Sequence, residues 1–130
     1  MNKVTKNPTL FVDIDGTLVV YRKFSELATA VLTPIQDVID LVNNYYDNGS
    51  HIVITSARPQ EYESFTKQEL EKIGVKYHQI LMGIGRGTRV VLNDKDPENP
   101  DLPRAVGINL NRDKGIEGLD LTQIASPYEI

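Results

Sequence analysis

Short apolar runs alternate with amphipathic stretches between residues 10 and 92, and this alternation restricts the available folds more than any other feature of the chain. Leu10-Phe11-Val12, Ile52-Val53-Ile54-Thr55, Ile80-Leu81-Met82 and Val90-Val91-Leu92 are of strand length and rich in β-branched or aromatic side chains. Between the first two runs, Thr33 is placed to cap a helix, with Pro34 at its first position and Gln36 at its third. Ile35, Val38, Ile39, Val42 and Tyr45 then recur at helical spacing until Gly49. A second helix opens at Pro59, carries Tyr62, Phe65, Leu70 and Ile73 on one face, and ends at Gly74. Residues 105–110 supply a fifth strand. Strand, helix, strand, helix, strand predicts βαβ units, hence an α/β fold with a mainly parallel sheet of about five strands.

The first run ends abruptly in Asp13-Ile14-Asp15-Gly16-Thr17. Two carboxylates spaced two apart repel each other unless a cation lies between them. Such a spot suits a divalent metal, and oxygen ligands favour Mg²⁺. Gly16 allows the backbone to leave the strand through positive φ. A hairpin is the competing explanation, because Asp-Gly between apolar stretches is its usual signal and residues 17–21 would form the returning strand. An EF-hand loop does not fit, since Gly16 stands fourth from Asp13 and that loop wants glycine sixth. In open parallel sheets, ligands bind beyond the carboxyl ends of the strands. Three runs here end in reactive groups: Asp13 and Asp15, Thr55 and Ser56, Asn93 and Asp94. A hairpin at Asp15-Gly16 accounts for only the first of these, which favours a shared site.

With 130 residues the chain predicts one domain, its core spanning about 9–110 and a polar tail about 111–130. A net charge of −4 argues against general nucleic-acid binding, which depends on clustered Lys and Arg. The absence of cysteine excludes disulfides and thiolate zinc sites. Residues 1–8 carry charge without the apolar core of a secretory signal, and no run approaches a membrane span. The expectation is a cytoplasmic protein with no membrane partner.

Over residues 9 to about 110 the chain resembles the haloacid dehalogenase superfamily of phosphatases, and more closely its small members without a large cap domain. Phe11-Val12-Asp13-Ile14-Asp15-Gly16-Thr17 matches that family's first motif, residues 52–58 look like the second, and Leu92-Asn93-Asp94 looks like the acidic fourth. The resemblance implies a Rossmann-like three-layer sandwich without a cap. It further implies an Mg²⁺-dependent phosphomonoesterase, with Asp13 as nucleophile forming an aspartyl-phosphate and Asp15 as general acid and base. Mg²⁺ would be held by Asp13, the Asp15 carbonyl and Asp94. The Thr55 side chain and the Ser56 N–H would bind phosphate.

Two departures from the family pattern stand out. Its third motif is a lysine, yet no lysine lies between Lys76 and Asn93; Arg89 and Arg86 are the replacements, Arg89 slightly favoured at its strand start. Asn93 occupies the first place of the fourth motif, where an acid is common. These departures motivate an alternative, a catalytically weak or inactive protein of the same fold that binds metal and phosphorylated ligands. A plain structural α/β module is the third reading. The gaps between motifs are too short for a cap domain, so the site is expected to be open. Capless relatives use large substrates or cover the site with a neighbouring subunit, which makes a homo-oligomer one expectation. The substrate is expected to be phosphorylated, whether a small molecule or a macromolecule.

Overall fold

Strands β1 (Leu10–Asp13), β2 (Ile52–Thr55) and β3 (Gln79–Leu81) lie parallel in the order β1-β2-β3 in a computed structural model that describes residues 7–121. Helices α1 (Gln36–Asp47) and α2 (Glu63–Ile73) form the two crossovers. The architecture is therefore α/β with a parallel sheet. Among the described residues no helix is long and apolar enough to cross a membrane.

Because neighbours in sequence are also neighbours in the sheet, right-handed crossovers put both helices on one face. The packing agrees. Val12, Ile52 and Ile54 join Val38, Ile39 and Val42 of α1 and Leu70 of α2 in one buried cluster, with Ile80 against it. The alternate positions point the other way, and Phe11 remains 65% exposed. The two described helices thus cover one face, where the resemblance implies a three-layer sandwich, and on the other face Val53, the partner of Phe11, is 4% exposed.

The strand count also falls short of the sequence expectation. Residues 83–110 carry no helix or strand, so neither 90–92 nor 105–110 extends the sheet. Val90, Val91 and Leu92 stand 62–93% exposed. Apolar spelling favours a strand only when the segment finds both a ladder and a face to bury, and these three residues have neither. Segment 33–35 differs too. Helix α1 begins at Gln36 with no side-chain cap, because the Thr33 carbonyl accepts from Val20 N–H at 2.9 Å and Ile35 N–H donates to Leu18 at 2.8 Å. These bonds tie 33–35 to 18–20, so Thr33 and Pro34 brace that loop instead of starting the helix.

Helix α2 ends as the sequence predicts. Gly74 adopts φ +76, and the N–H groups of Gly74 and Val75 return to Glu71 and Leu70. A Cβ at Gly74 would meet nothing within 4 Å, so the backbone alone sets the cost of a side chain there. Gly74→Ala is expected to lower stability by about 1 kcal/mol, measurable as a reduced thermal midpoint.

Candidate functional site

β1 ends at Asp13, and the next residues turn sharply. Thr17 and Leu18 N–H groups return to the Ile14 carbonyl at 3.1 and 2.8 Å, and Gly16 sits at φ +86. Val19 then bridges Asp15 in the parallel sense and Pro34 in the antiparallel sense. A returning hairpin strand would pair antiparallel with β1, so the turn is a loop that leaves the sheet.

Asp13 is the register partner of Thr55 on β2. Parallel neighbours lie roughly 4.8 Å apart, so the carboxylate and the hydroxyl stand abreast at the carboxyl edge. The Thr17 hydroxyl donates to Asp13 Oδ2 at 3.3 Å. Asp13 is exposed as a residue, but the atoms packed around its carboxylate desolvate it in part and raise its pKa above the ordinary 3.8. The Ile14 N–H opposes that shift, the Asp15 charge adds to it, and the Thr17 hydroxyl and Arg89 guanidinium oppose it. The Arg89 charge is the weakest of these influences, and its guanidinium donates to the Gly87 carbonyl at 2.6 Å. Arg86 instead lies over the Phe24 ring at 4.5 Å.

Asp15 faces a different environment. Arg58 Nε and Nη2 donate to its two oxygens at 2.9 and 2.8 Å. Arg58 is fully buried, and its Nη1 reaches Thr66 Oγ1 at 3.0 Å and Glu69 Oε1 at 2.9 Å. Burial disfavours the Arg58 charge, but the two carboxylates more than offset it and raise its pKa. Glu69 Oε1 also accepts from Arg22 Nη2 at 2.8 Å. One buried chain, Asp15–Arg58–Glu69–Arg22, therefore links the turn after β1, the end of β2, helix α2 and the loop after the turn. The sequence places Arg58 at the end of the second motif and leaves open whether it faces the site or solvent. Its available signal was the polar pair Thr66 and Glu69 on the inward face of α2, which needs a buried donor.

Ser56 is placed beside the site, with its groups engaged within the fold. Its N–H donates to the Leu81 carbonyl at 2.8 Å and its hydroxyl accepts from Arg58 N–H at 3.0 Å. Asp94 lies in the 83–110 segment, exposed, and accepts from Arg104 Nη1 at 3.1 Å. Among the described residues no three acids or histidines gather where they could hold a metal ion. The Asp13, Asp15 and Asp94 donor set expected for Mg²⁺ is thus incomplete, with Asp13 and the Asp15 carbonyl as its local part.

Residues 111–116, expected as tail, fold against the turn. Asp113 N–H donates to the Gly16 carbonyl at 2.9 Å, and Asp113 Oδ1 accepts from Tyr21 N–H at 2.7 Å. Leu110 and Ile116 pack on the core. Residues 1–6 and 122–130, the latter being the last nine residues of the expected tail, lie outside the described residues.

No family model matches the chain, and no curated protein matches it. Among solved structures it is similar to a Vibrio cholerae protein whose crystal structure was determined as an MCSG target, at 24% identity and a TM-score of 0.46, over 67% of this chain and 79% of that one.

Proposed function

We propose that the chain is a phosphomonoester hydrolase with an open site, built on a capless Rossmann-like core and working through an aspartyl-phosphate on Asp13. The observation that carries this reading is the placement of Asp13 beside Thr55 at the carboxyl ends of adjacent parallel strands, with Thr17 and Arg89 acting on the same carboxylate. A parallel sheet presents its ligands at this edge. Asp13 attacks phosphorus, the bond from phosphorus to the leaving oxygen breaks, and that oxygen takes a proton from Asp15. Water then attacks the aspartyl-phosphate while Asp15 accepts its proton, releasing phosphate and restoring Asp13. Thr55 and Arg89 hold the phosphoryl oxygens. The cycle requires Asp15 to leave Arg58, which Thr66 and Glu69 keep in place, and to take a proton from solvent before the first step; the water of the second step then returns that proton.

Mg²⁺ dependence belongs to the proposal, on the strength of Asp13 and the Asp15 carbonyl. Those two oxygens would hold the ion, which would screen the phosphate from the charge of the nucleophile, while Asp94 pairs with Arg104.

A second reading is favoured by one observation: both Asp15 oxygens are occupied by Arg58. A carboxylate that stays there cannot serve the leaving group, and the protein would bind phosphorylated ligands without turning them over. Hydrolysis of 4-nitrophenyl phosphate, with Mg²⁺ and then with EDTA, separates the two. Release of nitrophenolate with Mg²⁺, lost in EDTA, is the expected result. No release, with a melting temperature raised by Mg²⁺ and phosphate, supports the binding protein. No release and no thermal response overturns both.

A further inference from the structure

We infer that Arg112 is a specificity residue that receives a second anionic group of the substrate, a carboxylate or a second phosphoryl group, beside the Asp13 site. The inference deepens the phosphate-site reading above and rests on it. Four observations converge on Arg112.

Its position is fixed next to the turn: a Cβ built on Gly16 would lie 3.1 Å from Arg112 Cγ. Its backbone is held there by the two Asp113 bonds, to Gly16 and Tyr21, and by Ile116 N–H on Asp37 Oδ2 at 3.1 Å. Asp113 adopts φ +66, a conformation that favours glycine, so the segment is held in place at a cost in backbone freedom. The guanidinium lies over the Tyr21 ring at 4.1 Å, yet among the described residues it has no hydrogen bond or ion pair.

The chemistry follows from that last contrast. Contact with an aromatic face restricts the guanidinium without using its N–H groups, which lie in its own plane. The result is an exposed, oriented and uncompensated donor fork at the rim of the turn that carries Asp13 and Asp15. A planar fork matches the paired oxygens of a carboxylate or phosphoryl group. Three other arginines are engaged differently, Arg58 with two carboxylates, Arg22 with Glu69 and Arg89 with the Gly87 carbonyl, while Arg86 lies over Phe24 and not against the Gly16 turn. An oriented cation with no internal partner is useful where the ligand brings the anion.

Two matched ligand pairs of different reach test the inference: 3-phosphoglycerate against glycerol 3-phosphate, and 6-phosphogluconate against sorbitol 6-phosphate. Both members of each pair carry the phosphate, and one alone carries the carboxylate. Dissociation constants by calorimetry and kcat/KM by phosphate release are measured for the wild type, Arg112→Met, Arg112→Lys and Tyr21→Leu. The wild type is expected to prefer the acid of at least one pair by about tenfold. Arg112→Met should erase that preference, while Arg112→Lys and Tyr21→Leu should each retain part of it. No preference in either pair, a preference untouched by Arg112→Met, or no binding of any of the four overturns the inference. The two readings fail separately. Hydrolysis without a preference leaves the hydrolase and removes the Arg112 role, whereas an Arg112-dependent binding preference without hydrolysis does the reverse.

Discussion

Glu69→Ala is expected to lower the unfolding free energy by about 3–5 kcal/mol, because it removes a carboxylate shared by two buried guanidiniums and leaves Arg22 with no anionic partner among the described residues. Glu69 Oε1 is the shared acceptor for Arg22 Nη2 and Arg58 Nη1, at 2.8 and 2.9 Å. Arg58 keeps Asp15 and Thr66 after the change. Arg22 keeps only carbonyl acceptors, at 3.1 Å on Leu27 and 3.5 Å on Ala30, and its Nε is already without a partner. A buried cation left with carbonyls alone bears most of its desolvation cost uncompensated. Glu69→Gln keeps an oxygen in the same place and is expected to fall between the alanine variant and the wild type. Urea titrations check this as a shift in midpoint at constant slope. A loss under ~0.5 kcal/mol would show that Glu69 does not hold the chain together, since an ordinary surface change costs that much.

The same network marks the limit of what the residues alone reveal. Strand β2 at Ile52–Thr55, the amphipathic α1 and the glycine ending α2 are local properties, carried by β-branched side chains, a 3.6-residue repeat and one αL position. The juxtaposition of Asp13 and Thr55 was legible as well, because parallel strands carry their terminal residues to one edge. Arg58 was not. Its partners lie 43 residues upstream and 11 downstream, and arginine is usually read as a surface charge. Residues 111–116 were hidden for another reason. They are anchored by N–H groups that meet the Gly16 carbonyl and the Asp113 and Asp37 carboxylates across 79 residues or more, and pairings that distant leave no local pattern. The apolar run at 90–92 misled in the opposite direction, offering strand propensity in a segment that stands clear of the sheet.

Asp13→Asn is expected to abolish turnover while making the protein more stable at neutral pH, and the opposed signs are informative. Loss of a nucleophile costs roughly 10³-fold or more in rate, so hydrolysis of 4-nitrophenyl phosphate should fall to background. The stability gain is small, because Asp13 is exposed at the strand end and solvent screens its charge; its direction follows from the raised pKa, set first by desolvation and increased by the Asp15 charge. A carboxyl group with a higher pKa in the folded state binds its proton more tightly there than in the unfolded chain. Wild-type stability therefore falls as pH rises from the ordinary value of 3.8 through the raised folded value, and stays lower above it. Asparagine does not titrate, and its side-chain oxygen can still accept from the Thr17 hydroxyl. The variant's advantage should thus be complete above the folded pKa and vanish below about 3.8. Thermal melts of both proteins across that range, alongside the rate assay, read the two effects separately. Retained turnover would remove Asp13 as nucleophile whatever the melts show. A stability difference that does not change with pH would mean that Asp13 is as well solvated in the fold as in the open chain, and a site at the rim of β1 would then lack the strained charge that a phosphoryl acceptor or a cation relieves.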